Sequence, residues 1–490
     1  MGLGLLILAS YGKENNILSY NPQVTYFKKV YKRASEISFE IIPQYFKSIP
    51  NFNKRLTINI SKNADLIKDM SLFVELPELP PSKHTILPNG IKKIAWVNKV
   101  GLALIKYIDL EIGGILIDRH YSDWLNIDYE ANTYMEYDTL VGKNIKELTD
   151  YTNGKKSYKL YIPLRFFFNL EDKLTLPLVS LSKQDVKLHI EFNSFDYCIK
   201  ESPTHYFEVD DTICLFNKNE FIRQIVDGKL SIGEFIYFDL PTKRVYYNKI
   251  FNDFEIVKNN NNKYLIRGDD SQFTIFPKIN SIYVKDESYI FSNTPNLKDS
   301  SIHVNYIYLN NRERWFFLNT HISYLTPLVE NVLEQTIASI NKNYRLTFTN
   351  LHKIIYWRAQ LNSNKENNDH FNYTAYPFNI FSEPLILNSQ LIINSIQKTE
   401  ISNYEFYSFL QSFNNYDFLT DGVFQYSFCI DSKKSNPNGT LNFSKLDDAY
   451  LKLIFNKFIN YQYSVNIKAY GIYYNIFTIK NGTSSMKFYN

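Results

Sequence analysis

Short runs of alternating apolar and polar residues dominate the chain. Arg55–Ile60 (RLTINI), Val186–Phe192 (VKLHIEF), Arg345–Thr349 (RLTFT) and Tyr450–Phe455 (YLKLIF) all have the two-residue period of a strand with one buried face. Turn-forming clusters separate such runs: Ser61–Asp65, Pro80–Ser82, Asn153–Lys156, Asn259–Lys263 and Ser435–Gly439. Many short strands with frequent turns predict a sandwich or barrel. One helix is predicted, over Thr326–Ile337, where Thr326 can cap, Pro327 suits the first turn, and Leu328, Val332 and Leu333 form a stripe. Strand and helix patterns do not alternate regularly, which argues against a parallel α/β sheet. A boundary is expected after Phe192, where the alternating run gives way to a mixed acidic stretch. The region from Phe216 to Ser301 reads as loops, insertions and some strands, and Asn362–His370 (NSNKENNDH) as a polar surface loop.

Length and composition sharpen this. A chain of 490 residues has room for two sandwiches. Its 39 Tyr, 37 Phe and 4 Trp suit half-buried pleated surfaces. The net charge is only +4, and 11 of the 54 basic residues are Arg, which argues against a dedicated nucleic-acid binder. Three cysteines, Cys198, Cys214 and Cys429, cannot build a disulfide framework and point to reduced thiols in the cytosol. The abundance of Asn, Lys, Ile, Tyr and Phe reads as a coding bias of an AT-rich genome.

No catalytic, cofactor-binding or metal-binding residues stand out. Neither phosphate-cradling glycine motif occurs, nor H-E-x-x-H, C-x-x-C or G-x-S-x-G. Gly113-Gly114 reads as a bend or bulge within a strand. His120 near Asp118 has no second His beside it and reads as a satisfied surface residue. The pairs Asp210-Asp211, Asp269-Asp270 and Asp447-Asp448 are ordinary turn residues more often than calcium ligands. Arg267-Gly268-Asp269 spells a tripeptide that receptors read on exposed loops, but three-residue matches arise by chance. Sequons at Asn59, Asn372, Asn438, Asn442 and Asn481 are expected in so Asn-rich a chain. The basic cluster Lys28-Lys29-Val30-Tyr31-Lys32-Arg33 fits a lysine-protected edge strand better than a phosphate or lipid site. Met1–Ser10 is apolar, yet too short to span a bilayer and without a preceding basic segment. Leu6 occupies the position where a myristoylation signal at Gly2 wants Ser or Thr.

Several segments, in order, resemble the major capsid proteins of nucleocytoplasmic large DNA viruses. Asn21–Phe39 carries Asn21-Pro22-Gln23, Tyr26-Phe27, Lys28, Val30-Tyr31 and Lys32-Arg33. Asn63–Pro77 is similar to the family's turn and following strand, with Ala64 where Gly is common. Trp96–Ile127 is the closest match, through Trp96, Asn98, Gly101, Lys106, Glu111–Gly114, Ile117-Asp118, Tyr121 and Trp124-Leu125. Pro163–Phe168, Leu176–Leu178, Val304–Leu325, part of Leu351–Trp357, and Gly422–Leu453 follow. The glycine-rich tail of the family appears as Asn481–Ser485. The number and order of these matches carry the resemblance, with residues 216–300 its weakest zone.

The resemblance implies an all-β double jelly roll, two tandem eight-stranded sandwiches with a few short helices in loops. It divides the chain into an N-terminal arm (1–20), a first jelly roll (21–215), an inter-domain region with insertions belonging partly to the second (216–300), and the second jelly-roll core (301–490). It implies a non-enzymatic, cofactor-free structural protein of the virion capsid, assembled in the host cytoplasm. Homotrimers would form pseudo-hexagonal capsomers of an icosahedral shell and meet neighbouring capsomers and minor capsid and penton proteins. The arm would lie on the inner face, near an inner membrane or minor capsid proteins, with no direct nucleic-acid contact expected. The alternatives are a minor capsid or scaffold paralogue, or, from another class, a carbohydrate-binding jelly roll. A cupin-like enzyme would need a cluster of His, and the eight present are dispersed.

Overall fold

The computed structural model describes the chain except residues 1–2, 11, 16–18, 24, 26, 28–32, 82–91, 133–136, 257–263, 285–294, 379–382, 416–418, 420, 435 and 489–490. The turn cluster Asn259–Lys263, Ser82, Ser435, Gly2 and most of the basic run Lys28–Arg33 therefore lie outside the described residues.

The first sandwich opens with β1 (Ile37–Tyr45), β2 (Arg55–Asn59), β3 (Leu66–Leu76), β4 (Ile105–Ile112), β5 (Ile115–Tyr121), β6 (Tyr158–Pro163) and β7 (Val186–Phe192). The chain then leaves it for an inserted module: β8 (His205–Glu208), β9 (Phe221–Val226), β10 (Lys229–Asp239), β11 (Arg244–Phe251), β12 (Ile266–Gly268), β13 (Thr274–Ile275) and β14 (Ile282–Tyr283). It returns as β15 (Asp299–Leu309), which pairs with β1 over nine residues and with β3 on its other side. One sheet thus runs β1-β15-β3-β6 and the facing sheet β2-β7-β4-β5. The second sandwich repeats this order. Its strands are β16 (Ile322–Ile337), β17 (Asn341–Arg345), β18 (Leu351–Leu361), β19 (Ile386–Ile393), β20 (Ile396–Gln397), β21 (Val423–Ser427), β22 (Ala449–Phe455) and β23 (Val465–Lys480). They form sheets β16-β23-β18-β21 and β17-β22-β19-β20. Each sandwich is an eight-stranded jelly roll, with successive strands crossing between two sheets.

The sequence pattern explains the strands well. β7 buries Val186, Leu188, Ile190 and Phe192 and turns the residues between them outward. Gly113-Gly114 forms the two-residue link of the β4–β5 hairpin, at φ 59° and 86°, rather than a bulge within a strand. Two successive positive φ angles are what a tight hairpin turn of the favoured twist requires.

Other expectations need correction. Thr326–Ile337 is not a helix but most of β16, paired antiparallel with β23. Beside the cap and stripe residues the segment holds β-branched Val329, Val332, Thr336 and Ile337, and long-range pairing overrides the local signal. β16 is an edge strand, where Pro327 costs little because its missing N–H can face outward. The RLTFT strand ends at Arg345; beyond it Leu346 still bonds Ala449 O at 2.8 Å, but the ladder stops. Ser301 does not open the second jelly roll. It lies inside β15, the last strand of the first. The strands expected between Phe216 and Ser301 belong to a separate seven-stranded sheet, between His205 and Tyr283, with its own core of Phe207, Ile222, Phe235, Tyr247 and Phe254, rather than to the second sandwich.

The two sandwiches share packing. Ile322, Leu328, Phe477 and Ile479 of the second join the core of the first, where Phe167 packs against Phe477 at 5.7 Å. A further cluster joins Trp124 and Ile127, on helix α2 (Ser122–Asn132), to Ile354, Tyr356 and Tyr470. Beside it Arg358 Nη2 meets Asp123 Oδ2 at 2.6 Å, while Lys468 Nζ lies 3.5 Å from Asp123 Oδ1. Burial pushes the Asp123 carboxyl up, but Lys468 and Arg358 together hold it well below the usual carboxylate range. Many apolar contacts and a desolvated charge cluster thus fix one sandwich against the other.

Candidate assembly surface

The residues weighed for chemistry fall into structural roles. His120 and Asp118 are buried rather than superficial. His120 Nε2 lies 2.9 Å from Asp118 Oδ2, and its ring stacks on Phe166 at 4.9 Å. Asp118 also accepts the N–H of Val329, across the boundary between sandwiches, at 3.3 Å. In Arg267-Gly268-Asp269 the first two residues belong to β12, and the Asp269 carboxylate is gripped by Arg223 Nε at 2.8–2.9 Å. That geometry removes the free carboxylate a loop-reading receptor needs. Asp210 pairs with Lys278 at 2.9 Å, and the backbone N–H groups of Asp447 and Asp448 donate to Asn394 Oδ1. Among the described residues no three His, Cys, Asp or Glu side chains converge as a metal site requires. Likewise, no described helix is long and apolar enough to cross a membrane.

The exposed apolar surface is the more informative feature. β1 is an edge strand whose outer rim is unpaired among the described residues, and its residues are exposed almost throughout. Ile37, Phe39 and Ile41 alternate along one face, 49–64% exposed, with Tyr45 beyond them at 66%. A long apolar edge facing water is a ready template for another chain. Pro43 removes one backbone donor from this strand. Near the end of β15 follows helix α3 (Asn311–Asn319), N-capped by Asn310 accepting from the Glu313 N–H at 3.0 Å. It presents Trp315, Phe316 and Leu318 at 52–66% exposure. Ser35 donates to Glu313 Oε1 and ties the chain ahead of β1 to this helix. Farther upstream, helix α1 (Leu3–Ala9) exposes Leu3, Leu5, Leu6 and Leu8.

A second apolar face lies on the other sandwich. The π-helical turn Phe406–Leu410 and the helix that continues it, α4 (Gln411–Asn415), bury Tyr407, Ser408, Ser412 and Asn415. Phe409 and Phe413 point outward, four residues apart, with Leu410 between them. The sequence pattern marks neither face. Apolar residues in an aromatic-rich chain look like core until the topology shows which strand is an edge and which helix side faces out.

Comparisons with known proteins agree on one family. Residues 25–217 match the model for the major capsid protein N-terminus, and residues 276–485 the model for the large eukaryotic DNA virus major capsid protein. Residues 218–275, most of the inserted sheet, fall between the two. Probable capsid protein 4 of Acanthamoeba polyphaga mimivirus is 30% identical over 98% of both chains. The major capsid protein of Phaeocystis pouchetii virus is 24% identical over the full length of both. In three dimensions the chain resembles the Faustovirus major capsid protein (TM-score 0.65, 11% identity, 93% of each chain). It also resembles the protein of the PBCV-1 virus capsid (TM-score 0.63, 18% identity, 95% of this chain and all of the other). At such identities the structural likeness speaks for the fold alone.

Proposed function

The chain belongs to the major capsid proteins of large eukaryotic DNA viruses, structural components of the virion shell, and we propose that three copies close into a pseudo-hexagonal capsomer. Two jelly rolls held at a fixed angle supply two of six roughly equivalent corners, and three copies complete them. A cyclic trimer uses two different faces of each subunit, repeated around the ring. The observation that carries this reading is the pair of apolar faces on different sandwiches that are exposed among the described residues: β1 with α3 on one, Phe409 and Phe413 on the other. Aromatic and aliphatic anchors of this kind dominate stable interfaces. Capsomers would then tile an icosahedral shell and meet minor capsid and penton proteins. The modest charge of +4 supports a role without direct contact to DNA. Assembly would take place in the host cytoplasm, which suits three cysteines left free. The arm over residues 1–20, with its exposed leucines, would face inward, towards a membrane or minor capsid proteins.

The mass of the purified protein in solution tests the reading. A particle of three times the 57.8 kDa chain is expected, and Phe39→Asp or Phe413→Asp should release monomers that melt as folded protein. A wild-type monomer at micromolar concentration would overturn it. Deleting residues 1–20 should leave trimers intact and impair shell assembly; unimpaired assembly would remove the arm from the account.

A further inference from the structure

The inserted sheet does not stand free. The segment after β18 reaches up to it: Asn367 Nδ2 donates to Ile250 O at 2.6 Å, and Arg223 Nη2 donates to Pro377 O at 2.7 Å. Asn368 Nδ2 also bonds Ile199 O at 2.8 Å, where the first sandwich gives way to the insert. Between these three parts opens a cleft of about 540 Å³. That is within the usual size of small-molecule sites, about 300–1,000 Å³.

Its walls combine aromatic and planar polar groups. Tyr376 and Tyr283 stand at the cleft 38% and 48% exposed. Phe221 packs edge-on against Tyr376, ring centroids 5.3 Å apart, and steadies that ring. On the wall made by β10 and β11, Asn248 is 7% exposed and its Nδ2 donates to Glu234 Oε2 at 3.0 Å. The Asn248 amide cannot be turned over, because its oxygen would then face the carboxylate. Asn248 Oδ1 is thereby committed to face away from Glu234, and it is buried without a hydrogen-bond partner. Burial keeps that oxygen from the cleft, so the pair offers an incoming group the half-buried Glu234 carboxylate, held in place by Asn248.

The charges narrow what that group is. Lys200 lies 3.8 Å from Asp369, and Lys249 2.9 Å from Asp253, so both cations already have carboxylate neighbours. Asp196 and Glu366 add further negative charge around the rim, while Glu201 is paired with Lys92, and the excess of carboxylates disfavours an anionic ligand. Burial pushes the Glu234 carboxyl up, opposed by Asn248 and Lys200, which weakens its pull on a bare cation. A sugar ring meets all of these demands. Its C–H face lies on a tyrosine, and its vicinal hydroxyls match the planar Glu234 carboxylate.

We propose that this cleft, between the inserted sheet and the two jelly rolls, binds a neutral carbohydrate, with Tyr376 as the stacking platform and the Glu234–Asn248 pair as the hydroxyl-reading group. Phe221, Glu234 and Asn248 lie in the stretch that neither family model spans, whereas Tyr283 and Tyr376 lie within the second match, so the site joins the unmatched insert to the family's second half.

Saturation-transfer NMR on the purified full-length protein tests it, with methyl glycosides of glucose, galactose and mannose as probes. Sialyllactose and spermidine serve as anionic and cationic comparisons. At least one neutral glycoside should bind with a Kd of roughly 0.1–10 mM. Tyr376→Ala and, separately, the near-isosteric Glu234→Gln should each weaken it about tenfold or more. Unchanged melting temperatures would show that both variants remain folded. No neutral glycoside bound up to about 50 mM would overturn the proposal. Binding of spermidine alone, or sugar binding that both variants leave intact, would overturn it too.

Discussion

The contact between the two jelly rolls makes a quantitative prediction at Asp123. Its carboxylate is 16% exposed and lies against Arg358, whose side chain is 5% exposed, and Lys468, at 11%. At an effective dielectric of about 20, each such pair near 4 Å is worth about 4 kcal/mol of gross attraction. Desolvation offsets several kcal/mol of the combined figure. Asp123→Asn keeps the shape and removes the charge. Among the described residues Arg358 then retains Glu334, 3.5 Å away and 32% exposed, as its carboxylate neighbour. The substitution leaves two buried cations undercompensated, at an expected cost of about 3–5 kcal/mol.

Thermal unfolding followed by circular dichroism should show Asp123→Asn melting roughly 6–20 °C lower, at about 2–4 °C per kcal/mol for domains of this size. The control is Lys278→Ala, which breaks the Lys278–Asp210 pair, 57% and 79% exposed, and should move the midpoint by under about 2 °C. A double replacement, Asp123→Leu with Arg358→Met, should recover much of the loss, since it removes a charge and its main partner together. The sign with pH follows. A carboxyl held below its ordinary value contributes stability above that value and loses it as acid protonates it. The gap between wild type and Asp123→Asn should therefore narrow only below about pH 4. A shift for Asp123→Asn no larger than the surface control would refute the reasoning.

Other expectations can be checked with the same assay. Burial holds His370 at about 4, below its ordinary 6.5, with its Nε2 2.7 Å from Tyr197 O. Its contribution is full above pH 6.5 and is lost as pH falls towards 4, by about 2 kcal/mol at pH 5. His370→Gln should flatten that part of the pH profile, and an unchanged slope would place the acid sensitivity elsewhere. Gly422, at φ 82°, would put a Cβ 2.2 Å from Tyr373 O, whereas Gly114, at φ 86°, faces open space. Gly114→Ala should cost about 1–2 kcal/mol of backbone strain, and Gly422→Ala visibly more. Trp124→Ala empties the packing against Tyr356 and Tyr470 and should cost about 3–5 kcal/mol, read from denaturant midpoints.

What could be read in the sequence follows the range of the interactions. β7 and β22 were legible because alternation fixes both the strand and its buried face without reference to the rest of the chain. The Thr326–Ile337 segment was not, because a Thr-Pro start and a three-four spacing are local signals, whereas pairing with β23 is a tertiary fact. The same holds for Ser301. Nothing within β15 says that its partners are β1 and β3, more than two hundred residues upstream. A jelly roll closes its sheet by bringing its last strand beside its first. The chain can therefore wander between the seventh and eighth strands, provided that it returns.

That freedom accounts for the least legible part of the molecule. The β7–β15 connection leaves the first sandwich at Phe192 and returns at Asp299, and between them the chain builds a third sheet. Three of its strands are very short: β12 has three residues, and β13 and β14 have two each. No periodicity method can find elements of that length. Their order comes from buried groups that join distant positions. The Glu220 carboxylate accepts from the N–H groups of Asn217, Asp270 and Ser271. Gln224 bonds both Glu255 O and Tyr264 O. These interactions give a compact module seated on the sandwiches through Arg223 and Asn367. The jelly rolls must keep their strand order to close, while the insertion needs only to reconnect its ends. A cleft with its own chemistry can therefore arise at that junction without disturbing the shell-forming faces.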